Sequence, residues 1–117
     1  NQTAPTRDTN LPVNNISMSL IYLHHHFREP VTLAELADVA GLSKNYFSHC
    51  FRKHTNQTFQ SYLVSLRIKF SKSLLSFSNL AITEVCFASG FHSLSHFNKT
   101  FKQKEGLSPS KYRKMNK

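Results

Sequence analysis

Residues Val85–Phe101 read VCFASGFHSLSHFNKTF, and residues Leu36–Phe51 read LADVAGLSKNYFSHCF. Set against each other, the two stretches share one order. An apolar residue (Leu36, Val85) precedes a small one (Ala37, Cys86). Then follow a glycine (Gly41, Gly90), an apolar residue (Leu42, Phe91), a serine (Ser43, Ser93) and two phenylalanines four apart (Phe47 and Phe51, Phe97 and Phe101). The first turn is one residue shorter than the second. Each position has a task where two helices cross steeply over a tight connection. Ala37 and Cys86 are small enough to let the second helix approach. Gly41 and Gly90 end the first helix in a left-handed conformation that is costly for a residue with a Cβ. Leu42 and Phe91 plug the angle between the helices, and Ser43 and Ser93 cap the second one. The phenylalanine pairs hold that helix down, with Cys50 beside the first pair. A single helical hairpin with a glycine turn says little. Two in a chain of 117 residues support each other.

Outward from the repeat, the rest of the chain also reads as helix. Residues 1–15 (NQTAPTRDTNLPVNN) are polar with two prolines, and read as a linker or disordered tail. Ile16, Leu20, Leu23 and Phe27 then share one helical face, which Pro30 terminates. Thr32 and Glu35 form a capping box for a helix ending at Gly41. Ser43 caps the next, to about His54, and Asn56-Gln57-Thr58 breaks it. A long helix follows from Phe59 to Phe77, with Phe59, Tyr62, Leu63, Leu66, Phe70, Leu74 and Phe77 as a single apolar stripe. Shorter helices are expected from Ile82 to Ser89 and, capped by Ser93 and stopped by Gly106, to Lys104. Ser108-Pro109 opens a last one, with proline at the first helical position. The reading is all-α: seven helices, two helix-turn-helix subdomains (16–58 and 79–117) and a long central linker helix (59–78).

Charge is uneven. Residues 1–42 carry two basic and four acidic side chains, a net of −2, whereas residues 43–117 carry 13 basic and two acidic, a net of +11. A surplus so placed favours a polyanionic partner, nucleic acid first and an anionic membrane surface second. Cys50 and Cys86 lie among apolar residues and read as buried free thiols, which suits a reducing cytoplasm. No apolar run approaches the ~20 residues of a membrane span. A first residue other than Met is expected of a processed chain or of a piece of something longer.

The phenylalanines decide which residues face outward. On the third helix these are Lys44, Asn45, Ser48, His49 and Arg52. On the sixth they are Ser95, His96, Lys99 and Gln103, flanked by Asn98. Both faces are polar and basic without an acid. The helix between them would be about 28 Å long. Successive major grooves of B-DNA lie about 34 Å apart on one face, so such a rod suits two recognition helices in adjacent grooves.

With these residues in place, the chain resembles the DNA-binding domain of the AraC/XylS family of bacterial transcription regulators over about residues 16–115. The most specific part is Gly90-Phe91-x-Ser93-x-Ser95-x-Phe97-x-x-x-Phe101-Lys102-x-x-x-Gly106-x-Ser108-Pro109-x-x-Tyr112-Arg113. Leu33-Ala34-Glu35-Leu36-Ala37, Ser43-x-x-Tyr46-Phe47-x-x-x-Phe51-Arg52, Arg67 and Leu74-Leu75 add to it. The resemblance implies helices three and six in consecutive major grooves of double-stranded DNA, contact with RNA polymerase, and in many members a separate N-terminal sensing or dimerising domain. By position it implies base-edge contacts from Asn45, Ser48 and His49, and from Leu94, Ser95, His96, Asn98 and Lys99. Departures are His49 where members often have Arg, and Ser71 where they often have Ala. With Asn45 and Asn98 outward and no outward Arg before Arg52, an A·T-leaning site is expected.

Phosphate contacts are expected from Ser43 and Ser93 at helix N-termini, and from Lys44, Arg52, Lys102, Lys111 and Arg113. No metal site is expected. His24-His25-His26 point in three directions on a helix, neither cysteine has a zinc-spaced second ligand, and His92 with His96 suits phosphate or base contact better. No catalytic set or phosphate loop is visible, so neither an enzyme nor a cofactor is expected. Two rival readings are a basic amphipathic protein acting on membranes or RNA and a protein-docking module. The expected location is the cytoplasm, on the nucleoid.

Overall fold

The computed structural model describes residues 13–116. Among them the chain is all helix: α1 (Val13–His26), α2 (Leu33–Ala40), α3 (Lys44–Thr55), α4 (Phe59–Phe77), α5 (Ile82–Ala88), α6 (Leu94–Glu105) and α7 (Pro109–Asn116). They form two compact units, one of residues 13–27 and 31–63, the other of 28–30 and 64–116. The division falls inside α4, between Leu63 and Val64.

In the first unit, Ile16 and Leu23 of α1, Leu36, Ala37 and Ala40 of α2, Phe47, Cys50 and Phe51 of α3, and Phe59 and Leu63 of α4 make the core. Each large side chain so buried contributes about 1.5–3 kcal/mol. Phe51 is central, with ring centroids 5.6 Å from Phe47, 6.5 Å from Phe59 and 5.4 Å from Tyr62. Residues 13–15, expected in the tail, belong to α1; residues 1–12 lie outside the described residues. The Asn15 amide donates to the Ala40 carbonyl at 2.7 Å, closing the last turn of α2 from outside. Thr32 caps α2 by accepting from the Glu35 N–H at 3.1 Å. The Glu35 carboxylate, expected to return to the cap, receives the Tyr22 hydroxyl of α1 instead. A phenol brought near by the fold is a stronger donor than the local backbone, so only half of the capping box forms.

The second unit buries Ile68, Leu75, Val85, Cys86, Phe91, Phe97 and Phe101, with Val64, Leu74, Leu80, Ile82, Leu94 and Tyr112 packed at the margin. Burial pushes the Cys86 thiol up, which keeps it protonated and unreactive. The single stripe expected along α4 does not run its whole length. Phe59 and Leu63 follow it, but from Val64 onward the buried positions are Ile68, Ser71 and Leu75, and Phe77 is 89% exposed. One helix supplying two cores has no reason to keep one stripe. The half-buried Phe70 is covered instead by the Arg28 guanidinium, 4.5 Å from its ring centroid. Arg28 also donates to the Ala88 carbonyl at 2.7 Å, and Arg67 donates to that of Glu29 at 2.9 Å. These contacts explain why residues 28–30 belong to this unit.

Ser89, at the end of α5, is fully buried and its hydroxyl has no partner. The matching position of the first hairpin is Ala40, also buried. A buried orphan hydroxyl costs about 1–3 kcal/mol. Ser89→Ala is therefore expected to raise stability by about 1 kcal/mol, read as an increase in the urea midpoint at unchanged slope. A lowered midpoint would mean that the hydroxyl finds a partner in solution.

Candidate nucleic-acid interface

The repeat seen in the sequence closes by the same backbone chemistry twice. In the first hairpin Gly41 has φ 71°, its N–H reaches the Asp38 carbonyl at 3.0 Å, and the Leu42 N–H reaches that of Ala37 at 3.0 Å. In the second, Gly90 has φ 103°, its N–H reaches the Phe87 carbonyl at 3.1 Å, and the Phe91 N–H reaches that of Cys86 at 3.2 Å. Both are Schellman endings. The following serines then start the second helices: Ser43 accepts from the Tyr46 N–H at 3.3 Å, and Ser93 from the His96 N–H at 3.1 Å.

On α3, burial of Phe47, Cys50 and Phe51 turns Lys44, Asn45, Ser48, His49 and Arg52 outward, all exposed. On α6, burial of Phe97, Thr100 and Phe101 exposes Ser95, His96, Asn98, Lys99 and Lys102. Helix α3 contains no acid, and the one acid of α6, Glu105, pairs with Lys72 at 3.1 Å. Leu94 is half-buried: it packs on the core and also borders the surface groove with Ser95, Asn98 and Lys99. Ser43, Ser93 and Lys111 are exposed at helix starts.

Matching Phe47 to Phe97 and Phe51 to Phe101 pairs Asn45 with Ser95, Ser48 with Asn98, His49 with Lys99 and Arg52 with Lys102. The two faces have one layout but different side chains.

Arg113, expected at a phosphate, is tied to the protein backbone instead. Its guanidinium donates to the carbonyls of Leu75 at 3.1 Å, Leu80 at 2.6 Å and Ser78 at 3.3 Å. It closes the end of α4, whose last carbonyls have no partner within the helix. Conversely, Lys53 and Asn56 share a surface pocket with His49 and Arg52, and Ser108 and Ser110 border the groove that holds Lys99 and Lys102. The sequence reading missed these four. Lys53 could have been found in the last turn of α3. The serines could not, since α7 reaches α6 only through the fold.

Residues 36–115 match the family model described as a helix-turn-helix domain. The Msm operon regulatory protein of Streptococcus mutans is 35% identical over 92 residues, 79% of this chain and 33% of that protein. Across such curated relatives the chain spans 12 to 41% of their length. Among solved structures, the DNA-binding domain of AdpA, crystallised with a target DNA, superposes with a TM-score of 0.83 at 26% identity, covering 86% of this chain and 91% of that one. An AraC-type transcriptional regulator from Chromobacterium violaceum has the same fold, with a TM-score of 0.82 at 20% identity over 88% and 92% of the two chains. With two Schellman-ended hairpins and a family match over both, this chain belongs to the AraC/XylS family, as a helix-turn-helix DNA-binding domain of its transcription regulators.

Proposed function

We propose that this chain binds double-stranded DNA in a sequence-specific way, as part of a longer bacterial transcription regulator, with α3 and α6 in successive major grooves of one duplex. The observation that carries this is the pair of matched helices, each with a buried phenylalanine face and an exposed, polar, basic one. AdpA's domain, with the same fold, was crystallised with its target DNA.

In this reading Asn45, Ser48 and His49 read bases from α3, and Ser95, His96, Asn98 and Lys99 from α6, with the Leu94 methyls available to a thymine methyl. Lys44, Arg52, Lys53, Lys102 and Lys111 hold phosphates, together with the hydroxyls of Ser43 and Ser93. Arg113 is left out because three of its N–H groups donate to backbone carbonyls. The surplus of positive charge supplies the salt-dependent part of the affinity. Sensing or dimerisation would come from a further domain of the longer protein, and RNA polymerase would be a protein partner. The place of action would be the cytoplasm, on the nucleoid. Among the described residues no helix is long and apolar enough to cross a membrane.

Selection of bound duplexes from a random pool tests the reading. The expected product is a split, A·T-leaning motif with half-sites about one helical turn apart. Asn45→Ala should relax one half and Lys99→Ala the other, each costing about 1–3 kcal/mol at fixed salt. Equal binding of selected and scrambled duplexes would overturn it and favour a purely electrostatic or protein-docking role.

A further inference from the structure

Not all of the positive charge serves the recognition faces. In the second unit, Lys69 and Lys72 of α4 and Lys104 of α6 line one surface cavity of about 260 Å³, together with Ser65, Ile68 and Glu105. Lys104 sits about 180° around α6 from Ser95 and about 140° from Lys99, so it belongs to the opposite side of that helix. A duplex read by Ser95 and Lys99 leaves this cavity unused.

Three lysines and a single carboxylate line this cavity. Glu105 is taken by Lys72 at 3.1 Å. Among the described residues Lys69 and Lys104 have no ion-pair partner. Gathering like charges in a concavity costs repulsion and raises the local potential for an anion. The imbalance is two positive charges, and Lys is a ready point-charge binder of phosphate. Ser65 adds a hydroxyl that can donate to a phosphate oxygen, and Ile68 provides an apolar floor.

We propose that this cavity is a binding site for a phosphate or diphosphate anion, held by Lys69 and Lys104 and independent of the DNA-reading faces. The phosphate could come from a small phosphorylated metabolite or from the backbone of a second duplex. The compact cavity favours the former.

Calorimetric titration of the chain with inorganic pyrophosphate, at constant ionic strength, tests the site. One-to-one saturable binding is expected. It should weaken by about tenfold or more in the Lys69→Gln/Lys104→Gln variant and stay unchanged in Lys99→Ala. Both substituted lysines border solvent, and a thermal melt verifies folding; if the double variant melts early, Lys104→Gln alone is titrated. A scrambled duplex, bound equally by the variant and the parent chain, excludes the backbone as the source. Absence of saturation, equal pyrophosphate binding by the variant, or loss of it in Lys99→Ala would each overturn the proposal. So would a variant whose salt slope for the scrambled duplex falls by about two, since the lysines would then be holding DNA.

Discussion

Phe101→Ala is expected to leave the second unit only marginally stable at room temperature. The Phe101 ring is fully buried, 5.8 Å from that of Phe97 and 5.4 Å from that of Tyr112, so it ties α6 to α7 across the core. Truncating such a ring loses its transfer free energy and leaves a cavity, about 3–5 kcal/mol together. A unit of this size has about 5 kcal/mol in all. A steep fall in the melting temperature, read by helical circular dichroism, and weakened recognition of half the DNA motif should accompany the change. Phe51→Ala is the matched experiment in the first unit. Phe101→Leu keeps most of the volume and should cost about 1–1.5 kcal/mol. A Phe101→Ala chain within about 1 kcal/mol of the parent would show that α6 is anchored by something else.

Arg113→Ala comes next in size, about 2–4 kcal/mol of stability. It removes three charge-assisted hydrogen bonds and leaves the carbonyls of Leu75, Ser78 and Leu80 without their donor. Arg113→Lys should recover little, because an ammonium group has no planar fork to span three acceptors. The two roles open to Arg113 separate cleanly. A phosphate contact would leave the melting temperature unchanged and lower the salt slope of DNA binding by about one. A helix-end clamp lowers the melting temperature and, below the melt, leaves the salt slope unchanged.

Arg113 also marks the boundary of what a linear reading reaches. The serines at 43 and 93, the glycines at 41, 90 and 106, and Pro109 each act within a few residues of themselves, and the helices begin and end beside them. The phenylalanines at 47, 51, 97 and 101 follow the helical period and are all buried. Once those rings are inward, Asn45, His49, Ser95 and Lys99 can only be outward. The outward faces of α3 and α6 were therefore visible in advance, because local chemistry and one periodicity define them.

Three features escaped for a common reason. Glu35 was assigned to its own cap but takes the Tyr22 hydroxyl. Phe77 lies on the expected stripe but is exposed, and the second core buries Ile68, Ser71 and Leu75, which that stripe omits. Arg113 was given to DNA and serves carbonyls 33 to 38 residues earlier. Side chains with several chemically equal partners choose by proximity, and proximity between distant residues exists only after the chain has folded. The sequence alone determined the helices, their turns and the faces they show to solvent, since short-range forces suffice for those. Tertiary structure decided which side of α4 each core would bury and which cations remained free to meet an anion.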